Sequence, residues 1–323
     1  MERLSRRRFL ATTALAAGAY AAPLPGFASA VKSPFKIAVI TDEISPDFDH
    51  ACYVAANEFG MKWVELRSMW HKSVMDLNEA EIAETKKILA KYKLQVTDIG
   101  SPLFKTDWPG APKSPYGGKG DMHSAKEESF KRQDEILEHS IALARHFDTD
   151  KIRCFDFWRL GDVTPYRAAI DEKLRSAAET AGKQGLLLVL ENEFECNTAT
   201  GREAARTLNA VQTPSLALNW DPGNAVMRGE FDAFPQAWQQ LPKNRIHHCH
   251  VKNAVKNAAG KVEWAPVGKG VIDWTAQFRA LKEAGYRGAV SLETHWHGAA
   301  TPEQSTRESW SGMKQDLQVA GCI

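Results

Sequence analysis

Three observations predict an α/β fold, a single (β/α)8 TIM barrel: short β-rich apolar runs recur after residue 34, segments of helical periodicity separate them, and no Pro/Ser-rich linker or charge block divides the chain. In chain order the strands are expected at Lys36 to Ile40, Trp63 to Leu66, Gln95 to Ile99, Lys151 to Phe155, Leu186 to Leu190, Leu216 to Asn219, Ile246 to Val251 and Ala289 to Leu292. The fifth is continuously apolar rather than alternating, the pattern of a parallel strand covered on both faces. Helical periodicity runs over Asp47 to Phe59, Glu79 to Tyr92, Ser124 to His146, Ala168 to Gln184 and Trp274 to Ala284, and Gly60, Gly185 and Gly285 stand where helices must stop. Residues 31–323 form one domain, close to the roughly 250 residues plus insertions of such a barrel.

Residues 1–30 stand apart. Arg6, Arg7 and Arg8 precede Phe9-Leu10 and an Ala-rich run to Ala22 that is too short and too weakly apolar to span a membrane, and Ala28-Ser29-Ala30 offers a small-residue cleavage site. The segment Ser5-Arg6-Arg7-Arg8-Phe9-Leu10 resembles the twin-arginine export signal, with Ala11 where a Lys is common. That resemblance implies a periplasmic protein, exported already folded, with a mature start near Val31 and no stable membrane association after the signal is removed.

A net charge of +1 gives no basic field for nucleic acid and favours a small ligand. Five widely spaced cysteines without a C-x-x-C pair do not make a disulfide framework; buried free thiols are expected, with one bridge left open. The aperiodic, Pro-, Gly- and Lys-rich segment from Ser101 to Met122 follows the third strand and reads either as a substrate-covering loop or as an insertion without a role.

In barrels of this kind the chemistry sits at the carboxyl ends of the strands. Glu191, Asp221, His250 and Glu293 each close or follow a predicted strand, at intervals of 30 (191 to 221), 29 (221 to 250) and 43 (250 to 293) residues, about one βα unit apiece with the last enlarged. A strand-end carboxylate alone can equally cap the next helix or pair with a Lys. Three carboxylates and one imidazole together suit one divalent metal ion, Mn²⁺, Mg²⁺, Co²⁺ or Zn²⁺, with positions left for substrate oxygens.

The motifs Leu190-Glu191-Asn192, Asp221-Pro222-Gly223-Asn224, His248-Cys249-His250-Val251-Lys252, Pro266 to Trp274, and Gly285-Tyr286 leading to Ser291-Leu292-Glu293-Thr294 fall in one order along the mature chain. In that order they resemble the sugar phosphate isomerase/epimerase family of the xylose isomerase-like TIM-barrel superfamily. The resemblance implies that Glu191, Asp221, His250 and Glu293 ligate the metal. It also implies that Glu191 and Glu293 exchange a proton with a metal-bound sugar through an enediolate, and that Lys252 steadies the developing charge. Glu65, Arg67, Glu193, Asn224 and His248 are candidate contacts to substrate hydroxyls, with buried ion pairs as the structural alternative.

Two departures weigh against a specific ketose 3-epimerase. Asn224 stands where those enzymes carry His three residues after the metal Asp, and Lys252-Asn253 replaces the common Lys-Asp. Leu66-Arg67 and Gly100-Ser101 lack the extra histidines of the family's DNA-repair nucleases, so that activity is set aside. An isomerase or epimerase of a sugar, inosose or sugar acid is the leading expectation. A lyase or hydratase of keto-sugars is the nearest alternative, and a non-catalytic sugar-binding barrel a third. The partner is a small carbohydrate; homo-oligomer formation stays open.

Overall fold

The computed structural model describes residues 32–117 and 127–323. The twin-arginine-like segment and its cleavage site lie outside the described residues, as do the end of the Ser101 to Met122 segment and the start of the helix expected from Ser124. No helix among the described residues is long and apolar enough to cross a membrane.

Eight parallel strands form the barrel: β1 (Lys36–Val39), β2 (Trp63–Leu66), β3 (Gln95–Leu103), β4 (Lys151–Cys154), β5 (Leu187–Glu191), β6 (Leu216–Trp220), β7 (Ile246–Val251) and β8 (Ala289–Leu292). Their order around the sheet is β1-β8-β7-β6-β5-β4-β3-β2, and a parallel bridge between Ile40 and Glu65 joins β1 to β2 and closes the ring. Every strand expected from sequence is present, because strands covered on both faces need apolar runs that few other elements need. Leu188, Val189 and Leu190 are fully buried on β5, each contributing roughly 1.5–3 kcal/mol by leaving water.

The helices α1 (Phe48–Tyr53), α2 (Glu79–Tyr92), α3 (Gln133–His146), α4 (Arg167–Gly182), α5 (Gly201–Ala210), α6 (Pro222–Met227), α7 (Trp274–Glu283) and α8 (Pro302–Val319) pack outside the sheet. Local chemistry sets their limits. Asn78 with Glu81 and Thr200 with Glu203 form reciprocal capping boxes at α2 and α5. The three glycines read as stops, Gly60, Gly185 and Gly285, all have positive φ, between +73° and +76°.

Four features differ from the sequence reading. The helix expected over Asp47 to Phe59 is α1 followed by a wide π turn at Val54–Glu58. Within the described part of the helix expected from Ser124, Glu127–Arg132 is 3₁₀ and the α-helix begins at Gln133. Strand β3 runs on to Leu103, taking three residues of the segment read as loop: Ile99 pairs with Ile152 and Leu103 with Cys154, so Gly100, Ser101 and Pro102 bulge opposite Arg153 alone. Arg153 fills that bulge by donating to the carbonyls of Gly100 and Ser101, and a Cβ on Gly100 would come within 3.0 Å of Arg67 Cβ and Leu66 O. Finally, two short hairpins rise beyond the strand ends, Ser68–Met69 with Lys72–Ser73 after β2 and Asn253–Lys256 with Val262–Ala265 after β7. All five cysteines are buried free thiols.

Candidate metal centre

Each βα unit delivers its functional group where the strand hands over to the next segment. Glu191 is the last residue of β5, Asp221 follows β6 and caps α6 by accepting from the Asn224 amide, His250 points inward from β7, and Glu293 follows β8. One ligand atom from each of the four lies within 4.8 Å of the others, and all four residues are buried. Nδ1 of His250 is 3.1 Å from Glu191 Oε1 and 3.1 Å from Glu293 Oε2, with Asp221 Oδ2 at 3.7 Å. The two glutamates thus converge on one imidazole nitrogen.

Neighbouring side chains hold these carboxylates. Lys252 Nζ reaches Asp221 Oδ2 at 2.7 Å and Glu293 Oε2 at 2.5 Å. Its stem passes over Gly223, where a Cβ would approach Lys252 Cγ to 2.6 Å, so the Asp-Pro-Gly-Asn motif makes room for it. Arg67 donates to Glu293 Oε1 at 2.8 Å and also grips Asp42 and Glu43. Asn224 Nδ2 donates to both Glu191 Oε1 and Asp221 Oδ2 at 3.1 Å. Asn192 ties the Asp221 main chain from both sides, accepting from its amide and donating to its carbonyl.

The charges reinforce one another. Burial alone would push the Glu191 and Glu293 carboxyls up. The cationic neighbours His250 and Arg153 for Glu191, and Lys252, His250 and His295 for Glu293, override it and hold both well below the usual carboxylate range. Burial likewise disfavours charge on His250 and Lys252, but the facing carboxylates outweigh it and raise both groups above their ordinary values.

The residues present fit a divalent cation. Glu191 Oε2 and Asn224 Oδ1 are buried without a hydrogen-bond donor among the described residues, the Arg153 guanidinium standing 3.4 Å from the former. Buried oxygens that lack a hydrogen-bond donor keep lone pairs that a cation would satisfy. Three oxygen donors and one imidazole nitrogen make the hard-to-borderline set that such ions take.

The remaining expected site residues fall at different depths. Glu65 on β2 faces Nε2 of His250 at 3.1 Å and accepts from Ser291, beneath the four-residue centre. His248 lies a layer deeper, between Asp98 at 3.2 Å and Asn219 at 3.1 Å, and is fully buried. Glu193 turns to the β4 side and meets Lys105 at 3.3 Å. Asn224 and Arg67 touch the carboxylates themselves. Asp42, Glu43, Asp98 and Lys105 were missed from sequence, where only their position in or just past a strand could have marked them, and Asn192 stood in a motif with no role assigned to it.

The chain belongs to the xylose isomerase-like TIM barrel family, whose profile matches residues 54–315. It is 27% identical to the inosose dehydratase of Geobacillus thermodenitrificans over 134 residues, 37% of this chain and 44% of that protein. It is 28% identical to the L-ribulose 3-epimerase of Mesorhizobium japonicum over 194 residues, 55% of this chain and 59% of that protein. The chain therefore spans less than two thirds of the length of these curated relatives. Among solved structures, the IOLI protein with a bound zinc atom shares the fold at a TM-score of 0.66 with 14% identity, over 89% of this chain and 98% of that one.

Proposed function

We propose that this protein is a divalent-metal-dependent isomerase or epimerase that moves a proton on a sugar, inosose or sugar derivative through an enediolate. The observation that carries the reading is the pair Glu191 and Glu293, each 3.1 Å from His250 Nδ1 in a centre that Asp221 completes. Similarity to a sugar epimerase and an inosose dehydratase supports the substrate class.

Glu191, Asp221, His250 and Glu293 would hold the ion. When bound, the cation would supply Lewis acidity toward substrate oxygen and so make the neighbouring C–H more acidic. One of Glu191 and Glu293 takes that proton and the other returns one to the same or the adjacent carbon, so nothing is lost from the substrate. Lys252, 2.5 Å from Glu293, is placed to meet negative charge developing on a substrate oxygen. Asn224, Arg67, Glu193 and the deeper Glu65 and His248 position the groups that touch substrate.

A second reading keeps the same proton abstraction and lets a β-hydroxyl leave with a returned proton as water, giving a lyase or hydratase of keto-sugars. The relation to a dehydratase and Asn224 in place of a histidine favour it. Periplasmic export by the twin-arginine route belongs to the same proposal and rests on Arg6-Arg7-Arg8-Phe9-Leu10 and the cleavage site.

The test is solvent deuterium exchange into a panel of keto-sugars and inososes, with metal content measured alongside. Label should enter the substrate, and Glu191→Gln and Glu293→Gln should each stop it. Full exchange in both variants would overturn the assignment. Absence of exchange across the panel, with sugar binding retained, would leave a sugar-binding barrel instead.

A further inference from the structure

The enlarged interval between His250 and Glu293 is explained by the hairpin Asn253–Lys256 and Val262–Ala265, which stands beyond the end of β7 on the side of the metal centre. Its outer positions Lys256 and Glu263 are exposed, while Trp264 on the returning strand is only partly buried. The Trp264 ring lies 5.0 Å from His295, in the connection after β8, and 6.2 Å from Phe194, in the connection after β5. Three partly exposed rings from three separate connections therefore meet at one place.

That place adjoins the acids. Lys252 Nζ is 5.2 Å from the Trp264 centroid, and the same ammonium touches Asp221 and Glu293. Nε2 of His295 is buried and stands 3.1 Å from Glu293 Oε1, which ties this ring to the acid centre. A second aromatic pair at this end of the barrel differs: Phe155 and Trp158 are buried, with Lys105 packed over both. Half-open aromatic faces with polar atoms at their edge suit the C–H face and hydroxyl rim of a sugar or aryl ring.

We propose that Trp264, Phe194 and His295 form a subsite for a second ring joined to the reacting sugar, so that the substrate is a glycoside of at least two rings. This rests on the sugar-directed reading above. The hairpin sets the specificity, and the acid centre acts on the ring beside it.

Isothermal titration of the protein with methyl β-D-glucopyranoside, phenyl β-D-glucopyranoside and cellobiose tests it without requiring turnover. The two-ring probes should bind at least tenfold more tightly than the one-ring probe. Trp264→Ala should bring the ratio close to one, Trp264→Phe should keep most of it, and Phe231→Ala, beside Lys256 on the outside of the hairpin, should leave it unchanged. Thermal melts establish that each variant is folded. Equal affinity for all three probes, no binding of either two-ring probe at millimolar concentration, or an unaltered ratio in Trp264→Ala would overturn the proposal. Loss of deuterium exchange with the two-ring preference intact would remove the catalytic reading and leave the subsite standing.

Discussion

Glu65 Oε2 lies 3.1 Å from Nε2 of His250, on the edge of the ring opposite the Nδ1 atom that faces Glu191 and Glu293. A carboxylate in that position selects which nitrogen carries the proton and turns the other toward the metal centre.

Replacing Glu65 by Ala should therefore weaken metal binding about 10–100-fold while all four ligands remain. Competition with a chromophoric chelator measures it, and affinity equal to the parent protein would show that the ring is held in place without Glu65. Glu65→Gln, which keeps an acceptor, should fall between the two.

Arg67 answers Asp42, Glu43 and Glu293 at once in a buried setting. Arg67→Ala leaves those carboxylates without their shared partner and should cost about 3–5 kcal/mol of stability. Urea unfolding reads this directly; Arg67→Lys should recover only part, because an ammonium cannot reproduce the forked contacts.

Metal removal should lower stability as well. Restoring the ion at a hundred times its dissociation constant should return about 2.7 kcal/mol, visible as a rise in Tm that depends on metal concentration. An unchanged Tm with and without chelator would argue that no cation belongs among Glu191, Asp221, His250 and Glu293.

At the cap of α5, Glu203 pairs with Arg159 at 2.7 Å and accepts from the amides of Ala199 and Thr200. Partial burial pushes its carboxyl up, but these partners outweigh burial and hold it below the ordinary 4.5. The stabilisation is thus fully present above the unfolded value and is lost as pH falls through the lower folded value. Glu203→Gln should lose about 1–2 kcal/mol at neutral pH. The gap from the parent protein should close as pH falls below about 4, and a gap constant between pH 3 and pH 7 would contradict the charge-based account.

The five thiols give a simple check on the core. Burial pushes Cys154 and Cys249 well above the ordinary thiol range, and all five cysteines are enclosed. Iodoacetamide should label none in the native protein and five after unfolding without reductant, as read by mass spectrometry.

The parts legible in the sequence share a cause. Residues 187–190 had to be apolar because helices cover one face and the barrel interior the other, and Glu191, Asp221, His250 and Glu293 stand out as polar residues placed where such runs end. What sequence could not supply was depth and partner. Glu65 and His248 read as mouth residues, yet they lie beneath the four-residue centre, because the layer a strand residue occupies depends on its register against neighbouring strands. The bulge at Gly100–Pro102 shifts that register with no prior signal beyond a Gly and a Pro. Lys105 and Glu43 meet their partners only after the ring closes, so no local pattern announces them.

The main chain of Glu65 pairs with Ile40 where the first strand meets the second, while its side chain steadies His250. One residue thus fastens the cylinder's seam and aims the imidazole, tying a global property of the scaffold to a local one. Loosening the seam on heating should release the ion before the rest of the molecule melts, making cation retention the earliest thermometer of this barrel.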